Sequence, residues 1–326
     1  MSKDLASVFR KNFLPIFLTI AAISTVLVLI YIFTGVSAET WDYNIPRRIK
    51  VIGAIALVGI AVGVSSVVFQ TITTNHILTP SIMGFDNLYI FLQTLVIYFL
   101  GSGQLDLSGS PAQFMLTLLF MVGASTFIFF FMFRGHGSNI YYVVLVGIVF
   151  GITFEGLSSF MQVLIDPSEF SVLEGRMYAS FNRINVELLG IAAIVISAAT
   201  GWLVFDFRNL DALTLGRAQA ITLGVNYKRV VLTTMAAVAV LTSASTVLVG
   251  PITFLGILIV SLARFLFPTY RHAILVPGTV LVGVSILIFG MLITERVLSF
   301  TVPLSVIINF TGGLYFIYLM LKVKRV

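Results

Sequence analysis

The sequence predicts an all-α integral membrane protein of about ten spans with both termini cytoplasmic, and three observations carry that prediction. Of 326 residues, 59% are apolar and only 10% charged, whereas a soluble domain carries about 25% charged residues to keep its surface wetted. The apolar residues gather in runs about 20 long, the length a helix needs to cross a hydrocarbon core about 30 Å thick. The basic residues are shared unequally between alternate loops, as the positive-inside rule demands. Together these exclude an ordinary cytosolic enzyme, a disordered chain and a nucleic-acid binder, although the net charge is +6.

Ten apolar segments follow one another near 13–33, 49–72, 82–100, 112–133, 140–164, 186–205, 230–249, 253–267, 273–293 and 303–321. The first follows Lys3, Arg10 and Lys11 and ends beside Val36, Ser37 and Ala38, a series like a signal-peptidase site. Its apolar stretch is longer than the core of a cleaved signal, so a retained helix is expected. With the amino terminus inside, the inner side holds Lys3, Arg10, Lys11, Arg134, Arg208, Arg217, Lys228, Arg229, Arg264, Arg271, Lys322, Lys324 and Arg325. The outer side keeps Arg47, Arg48, Lys50, Arg176, Arg183 and Arg296. One span more or fewer would spoil that asymmetry. The longest hydrophilic stretches are 166–185 outside and 206–229 inside, so residues 1–326 are expected to form a single transmembrane domain.

Most catalytic chemistry is missing. No GxxxxGK followed by Ser or Thr supplies a phosphate loop, and no GxSxG or HExxH occurs. His76, His136 and His272 fall in separate inner loops and are expected to be ordinary interfacial histidines. The absence of cysteine removes disulfides and thiolate metal sites. The chain is therefore expected to be no enzyme and to bind no cofactor or metal of its own.

Four features remain. The inner loop 206–229 spaces Leu213, Leu215, Ala218, Ile221 and Leu223 partly as a helix does, and Gly216 and Gly224 should divide it into two short helices. Helices that short need something to pack on, either the protein's own spans or a partner's groove. The outer cluster Arg47, Arg48 and Lys50 opposes the inside-positive trend. It is expected either to pair locally with Glu39, Asp42 or Glu295, to contact lipid phosphates, or to meet an external partner. Glu155 lies well inside the fifth segment, where charge is expensive enough to suggest a pathway. Asp86 follows Gly84 at the inner start of the third and is read as a capping or snorkelling carboxylate. No second acid is evident to form a proton relay with Glu155.

Several blocks, in order, resemble one family. Ala212–Val225 (ALTLGRAQAITLGV) is similar to the coupling segment of the permeases of iron-siderophore and vitamin B12 ABC importers. Ile45-Pro46-Arg47, then Gly63–Gln70, then Thr74–Gly84 (TNHILTPSIMG) resemble that family's Pro-Arg, Gln and Arg-Asn-Pro-Leu-Ala-x-Pro series. Gly250–Gly256 with Arg264 resembles its Gly-x-Ile-x-Phe-x-Gly block. His76 stands where the family usually has Pro, Val260 and Ser261 replace a Pro-His pair, and 301–305 lacks Glu-Leu-Pro-x-Gly. With Met177–Asn182 (MYASFN), these departures resemble the subgroup that moves ferric catecholate-type siderophores rather than vitamin B12.

The resemblance implies a ten-helix permease of type II importer architecture in the bacterial cytoplasmic membrane. It would be paired with a second permease subunit, two ABC ATPases that hold ATP and Mg²⁺, and an extracytoplasmic siderophore-binding protein. It implies ATPase coupling through Leu215, Gly216, Arg217, Ala218, Ala220, Leu223 and Gly224. Docking of the binding protein would fall to Arg47, with Arg48 and Arg296. The short inner loop 135–141 aligns with the family's cytoplasmic gate, making Ser138, Asn139, Ile140 and Tyr141 candidates. An ion-coupled secondary transporter of a small organic solute is the competing reading. Such carriers often show broken helices at mid-membrane with paired ions, whereas this chain shows an amphipathic inner loop and few buried acids.

Overall fold

The computed structural model describes residues 13–36, 39, 41–101, 111–135, 140–182, 184 and 186–323; within these, the side chains of 128–135, 140, 141, 143, 322 and 323 are not described. The described residues form thirteen α-helices and one 3₁₀ turn, with no strand among them. In chain order the helices are α1 (Leu14–Phe33), α2 (Trp41–Thr73), α3 (Phe85–Leu100), α4 (Pro111–Gly135) and α5 (Ile140–Leu164). There follow α6 (Pro167–Met177), α7 (Val186–Phe205), α8 (Phe207–Leu213) and α9 (Arg217–Thr222). The last four are α10 (Tyr227–Val249), α11 (Leu255–Leu266), α12 (His272–Arg296) and α13 (Leu304–Val323). Pro80–Met83 is the 3₁₀ turn.

Ten of these helices coincide with the ten apolar segments. The other three, α6 outside and α8 and α9 inside, occupy the two long hydrophilic stretches. Seven helices are long and apolar enough to span, and α3, α4 and α11 supply shorter apolar stretches. The core is built on α2 and α12, which cross where their small residues let backbones approach. A Cβ at Gly59 would stand 2.8 Å from Val284 Cγ2, and one at Gly283 would meet Gly59 itself at 3.7 Å. α1 lies at the edge, with Leu18, Ile23, Val26 and Phe33 exposed as a lipid-facing stripe.

The third and eighth segments depart from the sequence reading, which took each as a full span. At 1.5 Å per residue, the 12 residues of α11 cover only about 18 Å. Each helix starts deep within the bundle after an irregular approach. Gly84, at φ +88°, opens α3 against Gly151, eleven residues or about 16 Å along α5. Phe254, just before α11, packs on Gly312 of α13 and donates its N–H to Asn309 Oδ1 at 3.3 Å. Irregular backbone survives at membrane depth only when protein buries it. Thr79, Pro80, Met83 and Gly250–Ile252 are all buried.

Candidate functional site

The inner surface is dominated by the 206–229 segment, and the two glycines punctuate it as expected. Gly216, at φ +94° and ψ 162°, turns the chain between α8 and α9, and Gly224, at φ +84°, follows the end of α9. Both readings of its apolar residues apply to different members. Leu210, Leu213 and Ala220 are buried against the protein's own helices, while Leu215, Ile221 and Leu223 are 59, 50 and 63% exposed. Arg217 and Ala218 are exposed as well, and the Arg217 guanidinium lies 5.2 Å from the Tyr227 ring centre. Exposed leucines on a polar, cytosolic helix pair, with an arginine among them, make a surface that a groove can receive.

The three histidines do not share one environment. His272 is buried and engaged on both nitrogens, so it is not an ordinary interfacial residue. His76 is exposed beside Arg264; partial desolvation and then that cation push its pKa below the ordinary 6.5. Arg264 Nε in turn reaches Gln70 Oε1 at 3.4 Å, joining two residues of separate sequence blocks. His136, Ser138 and Asn139 lie outside the described residues, as do the side chains of Ile140 and Tyr141.

On the outer face the basic cluster separates into two kinds of residue. Arg48 is only 8% exposed. Its Nη1 donates to the carbonyls of Tyr31, Ile32 and Thr34 at 2.8, 2.7 and 2.9 Å, and its Nη2 donates to Glu295 Oε1 at 2.9 Å. Those carbonyls are the unsatisfied C-terminal acceptors of α1. Arg48 therefore caps α1 and pins it to α2 and α12, which removes it from the docking surface expected of it. Arg296 serves the same clamp, donating to Thr34 O and lying 3.4 Å from Glu295, with about a third of its side chain exposed. Arg47 is different. It is exposed, forms no ion pair among the described residues, and sits between two depressions of about 340 and 520 Å³ that share Phe181 and Asn182.

At mid-depth, Asp86 and Glu155 come to the same helix start. Asp86 is 5% exposed in the first turn of α3, and its Oδ2 accepts from Thr253 Oγ1 at 2.8 Å. It is a buried first-turn carboxylate rather than a snorkelling one, because 74–84 carries the chain inward before α3 begins. Its neighbour Asn87 donates to Gly151 O at 3.0 Å and to Glu155 Oε2 at 3.3 Å. Glu155 itself is exposed on α5. The fold thus places a second acid one residue from Glu155's partner, which sequence separation concealed. An exposed carboxylate at this depth is costly against hydrocarbon, so this face of α5 suits a polar path or another subunit better than lipid.

A bundle of apolar spans with exposed apolar residues on the inner segment and, among the described residues, an arginine without an ion pair outside is the form of a membrane permease. Comparison with known proteins gives the family. The chain belongs to the FecCD transport family, whose model matches residues 11–322. It is similar to the petrobactin import system permease protein YclO of Bacillus subtilis (strain 168), at 47% identity over 92% of this chain and 95% of that protein. The petrobactin import system permease protein FatC of Bacillus anthracis is 32% identical, covering 85% of this chain and 78% of its own. A solved inward-facing structure of a metal-chelate type ABC transporter superposes with a TM-score of 0.81 at 23% identity, covering 94% of this chain and 99% of that one. The fold is that of a type II ABC importer permease, seated in the bacterial cytoplasmic membrane.

Proposed function

We propose that this permease carries a ferric siderophore of the catecholate type across the cytoplasmic membrane by ATP-driven alternating access. One observation carries the reading: 47% identity, over nearly the full length of both chains, to a protein described as a petrobactin import permease. The chain has no phosphate loop, so the energy enters through its cytosolic surface. Two ABC ATPases holding ATP and Mg²⁺ grip Leu215, Gly216, Arg217, Ala218, Leu223 and Gly224, while Ala220 anchors that segment to the bundle. Nucleotide-driven closure of the ATPases shifts α8 and α9, and the spans reorient around the path.

Arg47 is the docking cation for an extracytoplasmic siderophore-binding protein, since it alone of the three arginines first considered is exposed and unpaired among the described residues. A second permease subunit completes the path, which the exposed side of α5 bearing Glu155 lines. Ser138, Asn139, Ile140 and Tyr141 close the inner end of the path. The chain itself holds no cofactor.

Radioiron uptake in a deletion strain, run over a panel of ferric chelates, tests this reading. Catecholate-type chelates should accumulate only when the intact permease is restored. Accumulation by the purified chain alone, in vesicles without nucleotide, would instead establish an ion-coupled or passive carrier.

A further inference from the structure

His272 is the first residue of α12 and is only 1% exposed. One oxygen of Asp211, on α8, accepts two bonds from it: the backbone N–H at 2.8 Å and the ring Nδ1–H at 2.6 Å. The opposite ring nitrogen, Nε2, lies 2.8 Å from Thr71 Oγ1 near the inner end of α2. Thr71 also reaches the Val67 carbonyl at 3.0 Å. The Phe207 ring stands 5.9 Å from the imidazole, and Arg271 lies along Tyr270 rather than over the histidine. One buried side chain therefore ties the coupling segment to both central helices.

The local fold suits that connection to movement. Pro277 lies about one and a half turns beyond His272 and has no N–H to donate, so the first turn of α12 is joined less tightly to the rest of the helix. Asp211 bonds the backbone as well as the ring, so a shift of α8 displaces the helix end itself and not merely a rotamer. A bond that is charge-assisted and removed from water is the kind that holds under load.

We propose that His272 is a positioning residue that transmits displacement of the 206–229 segment to α12 and α2, with Asp211 and Thr71 as its two attachments. This inference rests on the importer reading above. It assigns the transmission to one identifiable pin rather than to general packing.

The chain contains no cysteine, so spin labels can be placed uniquely at Arg208→Cys on α8 and Tyr270→Cys just before α12. Both positions are exposed. In the complete transporter, assembled with its ATPases in lipid vesicles, the distance between these labels should be the same with and without ATP, because α8 and the start of α12 move as one body. With Asp211→Asn or His272→Gln added, ATP should shift or broaden that distance. Uptake per ATP hydrolysed should fall about tenfold, while hydrolysis itself persists. Thr71→Val removes one hydroxyl with little change of volume and should lower the same ratio without loss of protein from the membrane; it carries the test if the other variants fail to fold. An ATP-dependent distance change already present in the parent would overturn the proposal. So would variants whose distance stays fixed and whose uptake per ATP stays within about twofold of the parent. If the parent takes up no ferric chelate, the importer reading falls, and the distances still decide the link.

Discussion

Neighbouring arginines on one helix should respond oppositely to removal. Truncating Arg48 to Ala strips four hydrogen bonds, three from the carbonyls closing α1 and one from Glu295. Glu295 is 15% exposed and keeps Arg296 at 3.4 Å, so part of its charge stays compensated. Breaking a buried pair from one side costs about 3–5 kcal/mol. The residual partner and partial hydration of Glu295 place this case at the low end, about 3 kcal/mol. Arg47→Ala removes no such contact and should leave stability within error. Thermal unfolding of the purified permease in detergent separates the two: Arg48→Ala should lower the midpoint by about 5 °C or more, and Arg47→Ala should not. The converse holds for docking. Arg47→Glu should weaken capture of the binding protein in a pull-down, most at low salt, where exposed charges are least screened. Equal destabilisation by both truncations, or a silent Arg48→Ala, would refute the division between a structural and a docking arginine.

Three further outcomes follow from the same structure. Gly216→Ala forces a side chain into φ +94° and sets its Cβ 3.2 Å from Gln219 Oε1; uptake should be lost while immunoblots show normal insertion. A Glu155→Cys variant should react with a membrane-impermeant thiol reagent in the assembled transporter, faster in one nucleotide state than in the other; uniform protection would place Glu155 against lipid or protein rather than a path. Because His76 has a folded pKa below its ordinary 6.5, the unfolded chain binds the proton more readily. The histidine's contribution is therefore intact above pH 6.5 and declines as pH falls towards the folded value. His76→Gln should flatten the acid side of the stability curve, measured by unfolding from pH 7.5 to about 5.

The spans were legible because burial in lipid writes itself as length and composition. All ten segments coincide with helices, and both inner helices end two or three residues before the glycines that predict them. Depth was not legible in the same way. The 82–100 and 253–267 segments read as full crossings because hydropathy is indifferent to whether an apolar residue faces lipid or lies in a buried irregular strand of chain. Only the contacts of Gly84 with Gly151 and of Phe254 with Gly312 locate the two helix starts. For the arginine pair a usable signal was present. Arg48 is in register with Val51, Ile55 and Val58, which share the buried face of α2, whereas Arg47 is not. His272 carried no such mark, since its partners lie 61 and 201 residues away and neither spacing follows a helical or strand period.

The two interrupted segments also explain why a carboxylate is tolerated at the centre of the bundle. α3 and α11 both begin at mid-depth, and each helix start presents unpaired N–H groups with the positive end of a dipole. Two such ends facing apolar surroundings would be costly, and water is not available to satisfy them. Asp86 stands in the first turn of one, and its Oδ2 accepts a hydrogen bond from the hydroxyl of Thr253, two residues before the start of the other. The carboxylate thus stands at the positive end of α3 and is tied to the chain leading into α11. Glu155, on the far side of Asn87, has no comparable helix end and stays exposed. Of the two acids, one is therefore part of the scaffold where the helices break, and the other stays exposed on α5, where the thiol-labelling experiment decides what faces it.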